Sequence, residues 1–474
     1  MILRPYQQAM VDQAREAMRT DRAVILQLVT GGGKTPTACA IIKRAVERQR
    51  RVLFVAHRSH LLKQASDKLT AFDIRHALIK AGKPGNIAAA VQVASIQTLA
   101  RRIDKISFVP DLICIDECHL SEAKTYKEML AKWPKAYVIG LTATPSRTDG
   151  RGLGRAHGGN FDRIIPGPPM KELIGLGFLV PLKYFIGEVT PDTKDIGTVM
   201  GDFHQSKLEA AVDKPAIIGD AIEHWKKEAN GLKTLVFCVS VKHAHTIAAQ
   251  FREAGVRSVA VDGTWDDEPR ERVLADFEAG KIDVLTNCHL YTEGLDIPSV
   301  GCVIDMAPTQ SVVRYMQRAG RGMRTHENKK HCIYIDQANN YFRFGLPIEE
   351  REWNLEGAES KKKNAERAQA ITVCPRCFCA QLSGKPACQH CGNVFEIKSR
   401  KVAQLSGTIK KITEEEAAAQ RAAAAARREV GFAATKGRAA LEEIARIRGY
   451  RPGWVDRMLE IRGRSKYANK KASI

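Results

Sequence analysis

The chain has 474 residues, 44% hydrophobic and 27% charged, a globular composition too long for one compact core and long enough for two or three domains. Lys and Arg outnumber Asp and Glu by 74 to 53, and the net +21 favours a polyanionic partner, nucleic acid before anionic lipid. No apolar run reaches bilayer length, the first residues carry no secretory pattern, and seven of the twelve cysteines are scattered singly, so a reducing cytoplasmic protein is expected rather than a membrane or disulfide-built one.

Short apolar strands alternate with polar-faced helices in two stretches. The first runs through 23–28, 51–56, 91–95, 112–116 and 136–141. Its runs 52–55 and 112–115 are apolar without a break, as strands buried on both faces of a parallel sheet must be. A Gly/Pro-marked stretch from Pro166 to about Asp202 reads as a connection. The second stretch runs through 234–239, 259–261, 283–285, 302–305 and 332–335. Two consecutive α/β layers with parallel sheets follow.

Three strand ends carry chemistry. After strand 23–28 come Thr30, Gly31, Gly32, Gly33, Lys34 and Thr35, then a helical pattern. A glycine turn between strand and helix lets backbone N–H groups close round a triphosphate, with Lys34 reaching the outer phosphates and the Thr35 hydroxyl holding Mg²⁺. Asp116 and Glu117 end strand 112–116; the first suits Mg²⁺, the second can orient water and take its proton. Thr142 and Thr144 close the next strand with two hydroxyls.

Beyond a charged segment, 349–370, lies Cys374-x₂-Cys377-x₁₀-Cys388-x₂-Cys391, the paired-knuckle spacing of a four-thiolate zinc ribbon. Four thiolates leave no open position on Zn²⁺, so the site is structural. His390 is the one substitute ligand nearby. The last 79 residues hold 19 Lys and Arg against 9 Asp and Glu and contain an Ala-rich helix former at 414–428. The stretch 449–464 mixes aromatics with Arg, which suits nucleic-acid contact as well as a solvated basic tail.

In order, Gly31–Thr35, Asp116-Glu117-Cys118-His119 and Thr142-Ala143-Thr144 resemble motifs I, II and III of superfamily 2 helicases. The stretch from Thr286-Asn287 through Thr292-Glu293-Gly294-Leu295-Asp296-Ile297-Pro298 resembles motif V, and Gln317-Arg318-Ala319-Gly320-Arg321-Gly322-Met323-Arg324 resembles motif VI. Residues 167–181 resemble the interdomain connection of the XPB-like and phage-type branch. The resemblance implies two tandem RecA-like domains, 1–165 and 203–348, joined by 166–202, with the linker 349–370, the ribbon 371–395 and a basic, partly helical tail 396–474. It implies ATP and Mg²⁺ as cofactors, a nucleotide site that includes Arg4, Tyr6, Gln7, Gly294 and Asp296, arginine fingers at Arg321 and Arg324, and Gln317 as a positioner of water. Track contacts fall on His57, Arg58, Ser95, Gln97, Thr98, Ser240 and Thr286. The implied activity is an ATP-dependent helicase or translocase, DNA preferred, in a bacterial cytoplasm or that of a phage host. An RNA helicase, an ATP-gated motor subunit that separates no strands, and a protein partner for the ribbon or tail stay open. Chelation of the ribbon is expected to spare the ATP site.

Overall fold

The computed structural model describes residues 2–147, 152–199, 202–288, 290–291, 296–357, 371–395, 438–448 and 453–456. Residues 1–395 form one compact unit and 396–474 a second. The expectations at Gly294 and 414–428, most of the linker 349–370 and most of 449–464 lie outside the described residues.

The first sheet uses β1 (Ala23–Gln27), β2 (Val52–Ala56), β3 (His76–Lys80), β4 (Lys83–Pro84), β5 (Val91–Ser95), β6 (Leu112–Asp116), β7 (Tyr137–Thr142) and β8 (Arg163–Pro166). Their order is β4-β3-β5-β2-β6-β7-β1-β8, parallel except at the β3/β4 edge. Strands β1, β2 and β6 are buried at every position, as their unbroken apolar sequence requires. The order sets β6, β7 and β1 side by side, so their C-terminal ends meet.

The second sheet draws on β9 (Leu182–Ile186), β12 (Thr234–Cys238), β13 (Ser258–Val261), β14 (Val284–Cys288), β15 (Cys302–Asp305), β16 (Cys332–Asp336), β17 (Ile371–Val373) and β18 (Cys379–Leu382). Its order is β13-β14-β12-β15-β16-β9-β18-β17, parallel as far as β9. A two-stranded ladder, β10 (Thr198–Val199) with β11 (Asp202–Phe203), stands apart. Two features depart from the sequence reading. The connection 166–202 contributes β9, pairing Leu182–Ile186 with β16. The cysteine hairpin is not set apart either, since Cys379 and Ala380 pair with Phe185 and Tyr184 and extend the sheet.

Helices Val241–Glu253 and Pro215–Glu228 cover one face of the second sheet, where Trp225 meets Phe251 edge-on at 5.5 Å and donates its indole N–H to Thr234 Oγ1 at 2.6 Å. In the second unit the helix Arg438–Arg448 buries Leu441 and Ile444. Among the described residues, no helix is long and apolar enough to cross a membrane.

Candidate active site between the lobes

The loop after β1 turns through Gly31 (φ 84°) and Gly33 (φ 90°), left-handed positions where a side chain is strained. A Cβ would also push neighbours aside: on Gly33 it would lie 2.2 Å from Gln7 Nε2, and on Gly31 2.9 Å from a Leu179 methyl. Gly33 caps the helix Lys34–Glu47, so Lys34 and Thr35 start its first turn with their N–H groups unspent.

Asp116 and Glu117 leave β6 almost fully buried. Burial, with the Glu117 charge beside it, pushes the Asp116 carboxyl up to about 6, while Lys34 pulls the other way. Glu117 holds φ 48°, a left-handed conformation costly for a residue with a Cβ. That turn aims its carboxylate at Lys34 Nζ, 4.0 Å from Oε1, and at His119 Nδ1, 3.4 Å from Oε2. His119 Nδ1 also lies 3.2 Å from the Thr142 hydroxyl, which accepts from Thr144 N at 3.1 Å. Glu117, His119 and the Thr142 hydroxyl at the end of β7 are thus one connected group, which Thr144 joins through its backbone N–H.

The second lobe approaches closely. A Cβ on Gly320, in the helix Val312–Gly322, would meet Thr30 Cβ at 2.3 Å, so only glycine admits this contact with the phosphate loop. Arg321 and Arg324 reach a cavity of roughly 360 Å³ whose wall also includes Thr30, Gly31, Gly33, Lys34, Thr35, Asp116, Glu117 and Asp296. Arg324 pairs with Asp296. Gln317 is buried to 1% exposure without lining the cavity, and neither amide atom has a partner among the described residues. Arg318 serves the fold: it donates to Asp305 Oδ1 at 2.9 Å and Ala307 O at 2.6 Å.

Of the residues expected in the nucleotide site, Tyr6 and Gln7 bond the phosphate loop. Tyr6 donates its hydroxyl to Gly32 O at 2.6 Å. The Gln7 amide accepts from Arg4 N at 2.9 Å, capping the start of its own helix, and donates to Gly32 O at 3.2 Å, so its Nε2 end braces the phosphate loop. Of the three, only Arg4 lines the cavity. Sequence reasoning missed Phe178, Leu61, Gln64, Ala65 and Lys68 on the same wall. The last four recur at i, i+3, i+4 and i+7 of the helix Ser59–Ala71, a signal of one shared face.

The first-lobe track residues gather at the ends of β2 and β5. Gln97 Nε2 donates to His57 O at 2.8 Å, Ser95 Oγ to Gln97 Oε1 at 2.8 Å, and Arg58 Nε to His57 Nε2 at 3.2 Å. Thr98 is half-buried one residue on, and Arg58 also crosses to Leu290 O of the second lobe at 3.3 Å. The second-lobe pair corrects the sequence reading. Thr286 is fully buried and gives its hydroxyl to Ala244 O at 2.8 Å, fastening the helix Val241–Glu253 to β14 rather than facing a strand. Ser240 caps that helix by accepting from His243 N at 3.0 Å.

The sulfurs of Cys374, Cys377, Cys388 and Cys391 lie within 4.8 Å of one another, with Cys374–Cys391 at 3.7 Å and Cys377–Cys388 at 3.6 Å. Tetrahedral bonds of about 2.3 Å to Zn²⁺ require edges of about 3.8 Å, so the cluster fits that ion. The two knuckles share backbone bonds: Phe378 N to Cys374 O and Gly392 N to Cys388 O, each 2.9 Å. Cys379 stands outside the cluster, and His390 points to Glu228 at 2.9 Å, which removes it as a substitute ligand.

Comparison with known proteins agrees with this layout. A family model described as "Type III restriction enzyme, res subunit" matches residues 1–147, and one described as "Helicase conserved C-terminal domain" matches 213–326. A 51.5 kDa protein of a Lactococcus phage is 31% identical over 380 residues, 79% of each chain. The Saccharomyces cerevisiae protein named for ATP-dependent helicase IRC3 is 31% identical over 71% of this chain, which spans only 51% of that relative. In fold, the chain resembles the ATP-dependent type ISP restriction-modification enzyme LlaBIII bound to DNA, with a TM-score of 0.53 and 17% identity over 78% of this chain and 30% of that one. Two paired parallel sheets that bring a phosphate loop, an acid pair and two arginines to one cleft, together with these relatives, make the chain a member of the superfamily 2 helicases, an ATP-hydrolysing helicase.

Proposed function

We propose that the protein is a DNA motor, in which hydrolysis of ATP in the interlobe cleft drives movement along a strand. The observation that carries this reading is the shared cavity wall, where Lys34 and Glu117 of one lobe stand with Arg321 and Arg324 of the other. The backbone N–H groups of the glycine loop and Lys34 bind the outer phosphates. Glu117 takes the proton of the attacking water, held in place by His119. The unpartnered Gln317 amide orients that water once the cleft tightens. Arg321 and Arg324 meet the charge that spreads over the departing phosphoryl oxygens. Thr35 and Asp116 would hold Mg²⁺, which supplies neutralisation of the phosphate charge when bound. The four cysteines would hold Zn²⁺ as a structural ion.

Three features support DNA as the track: the +21 charge, the restriction-enzyme family model over the first lobe, and the DNA-bound LlaBIII of similar fold. His57, Arg58, Ser95, Gln97 and Thr98 offer amides, hydroxyls and a guanidinium to backbone phosphates, contacts that position a strand without reading it. The free thiols of all twelve cysteines support a cytoplasmic setting. Stimulation of ATPase by single-stranded, duplex and forked DNA and by RNA, across a salt series, tests the reading. Stronger stimulation by RNA would transfer the track to RNA. Stimulation by DNA without strand separation would make the chain a motor subunit, with the ribbon or tail as its partner surface.

A further inference from the structure

The second lobe has no hold on a strand through Thr286 or Ser240, whose side chains both serve the helix Val241–Glu253. Its parallel strands end along one edge, with β13 outermost and β14 beside it. That corner meets the first-lobe track cluster. Leu290, just past β14, accepts from Arg58 Nη1 at 3.3 Å, and Glu271 pairs with Lys63 of the helix Ser59–Ala71 at 2.9 Å. Glu271 lies in the helix Asp267–Glu278, which opens directly after the loop 262–266 that leaves β13. In this loop stands Trp265, half-buried. Among the described residues its ring joins no apolar cluster and pairs with no other ring, and its N–H finds no acceptor. Trp225, by contrast, is buried with its N–H bonded.

Bonds on both sides of the ring fix the loop. Asp262 Oδ1 accepts from Thr264 N at 2.8 Å and from Thr264 Oγ1 at 2.5 Å, Asp262 Oδ2 lies 3.4 Å from His245 Nε2, and Trp265 O accepts from Arg270. Asp266, exposed beside the ring, repels phosphate, so charge is not what this loop offers a nucleic acid. It offers a flat indole face. We propose that Trp265 is the second lobe's contact with the track, stacking on an unstacked base of single-stranded DNA while the first-lobe cluster holds the phosphates. Every base has a π-face, so the contact tolerates any sequence. A duplex shows only base edges in its grooves, so the contact exists for a single strand alone. The two lobes thus grip the strand by different chemistry, one by its backbone and the other by its bases.

The inference rests on DNA being the track, and the experiment separates the two. Binding and ATPase stimulation would be measured on the full chain, wild type against Trp265→Ala, Trp265→Phe and Trp265→Leu. The ligands are a single-stranded oligodeoxynucleotide, an abasic strand of the same length and a blunt duplex. Truncating a base–aromatic stack costs about 5- to 150-fold in affinity. Trp265→Ala should lose that much for the single strand at an unchanged salt slope, since no phosphate contact is removed. Trp265→Phe should keep most of the affinity and Trp265→Leu little of it. The abasic strand and the duplex should bind wild type and Trp265→Ala equally. A ring that merely props the loop would weaken all three ligands alike in Trp265→Ala, and that outcome overturns the proposal. So does undiminished affinity of Trp265→Ala for the single strand, or a wild type that binds abasic and natural strands equally. A wild type whose ATPase ignores every DNA would instead remove the DNA track, and the contact with it.

Discussion

The first sheet closes its edges with β4 and β8 from its own stretch of chain, whereas the second takes β9 from the interlobe connection and β17–β18 from the cysteine hairpin. Lys83, Pro84 and Pro166 blunt the first sheet's edges, the usual protection against stray pairing. The second sheet ends in a hairpin whose own apolar content is small and whose four thiolates need a metal to hold them. One lobe is thus completed by burial alone and the other by burial plus a four-cysteine cluster whose spacing fits a metal ion. Chemistry divides the same way. The first lobe holds the phosphate loop and the acids; the second sends arginines across to them.

The sharpest way to break that division is to remove the crossing charge. Arg321→Ala should leave ATP binding and folding nearly intact, because the residue reaches the site from the other lobe. DNA-stimulated ATPase should fall by about 10³–10⁵, the worth of arginine fingers in phosphoryl transfer. An unchanged rate in steady-state assays would mean the lobes do not close on one nucleotide.

The matching change on the first lobe is Glu117→Gln. It keeps the size and the left-handed turn while deleting the base, so turnover should drop on the order of 10² or more with ATP affinity retained. Nucleotide binding measured beside turnover separates this from Lys34→Ala, which should weaken both.

What the sequence revealed follows the same physics. Strands buried on both faces leave unbroken apolar runs, so β1, β2, β6, β12 and β15 are plain to read. Apart from the separate β10–β11 ladder, the strands missed, β3, β4, β8, β9, β17 and β18, lie at or near sheet edges, where residues such as His76, Arg163 and Lys183 interrupt the run. Motif residues stand out because glycine, acid and arginine are demanded by the work itself. Phe178, Gln64 and Lys68 reach the same cavity from a connection and an ordinary helix face, with no chemistry that singles them out. Thr286 shows the converse error. A hydroxyl suits a phosphate and a backbone carbonyl equally, and only burial tells which it serves.

Zinc removal tests the asymmetry of the sheets. Because β18 pairs with β9, and β9 begins four residues beyond Phe178, loss of the ribbon should reach the cleft rather than spare it. Metal analysis should find one zinc per chain. Cys388→Ser or chelation should lower Tm by roughly 5–10 °C, raise hydrogen exchange in β9 as well as in 371–395, and reduce ATPase severalfold. Exchange confined to 371–395, with β9 still protected and ATPase unchanged, would make the hairpin an independent module.

The smallest effect is expected at Thr286, and it separates the two lobes as grips on the track. Thr286→Val keeps the shape of a fully buried side chain and removes one bond, the 2.8 Å donation to Ala244 O. The cost should be about 1 kcal/mol of stability, with DNA affinity and its salt slope unchanged. Arg58→Ala, in the half-buried cluster at the ends of β2 and β5, should instead cost little in Tm, weaken DNA binding across sequences and flatten the salt slope by about one. Thermal melts and salt-titrated binding on both variants decide the matter. Should Thr286→Val lose DNA affinity at unchanged Tm, the second lobe must open far enough to expose β14 when the strand binds, and the buried hydroxyl would be a contact held in reserve.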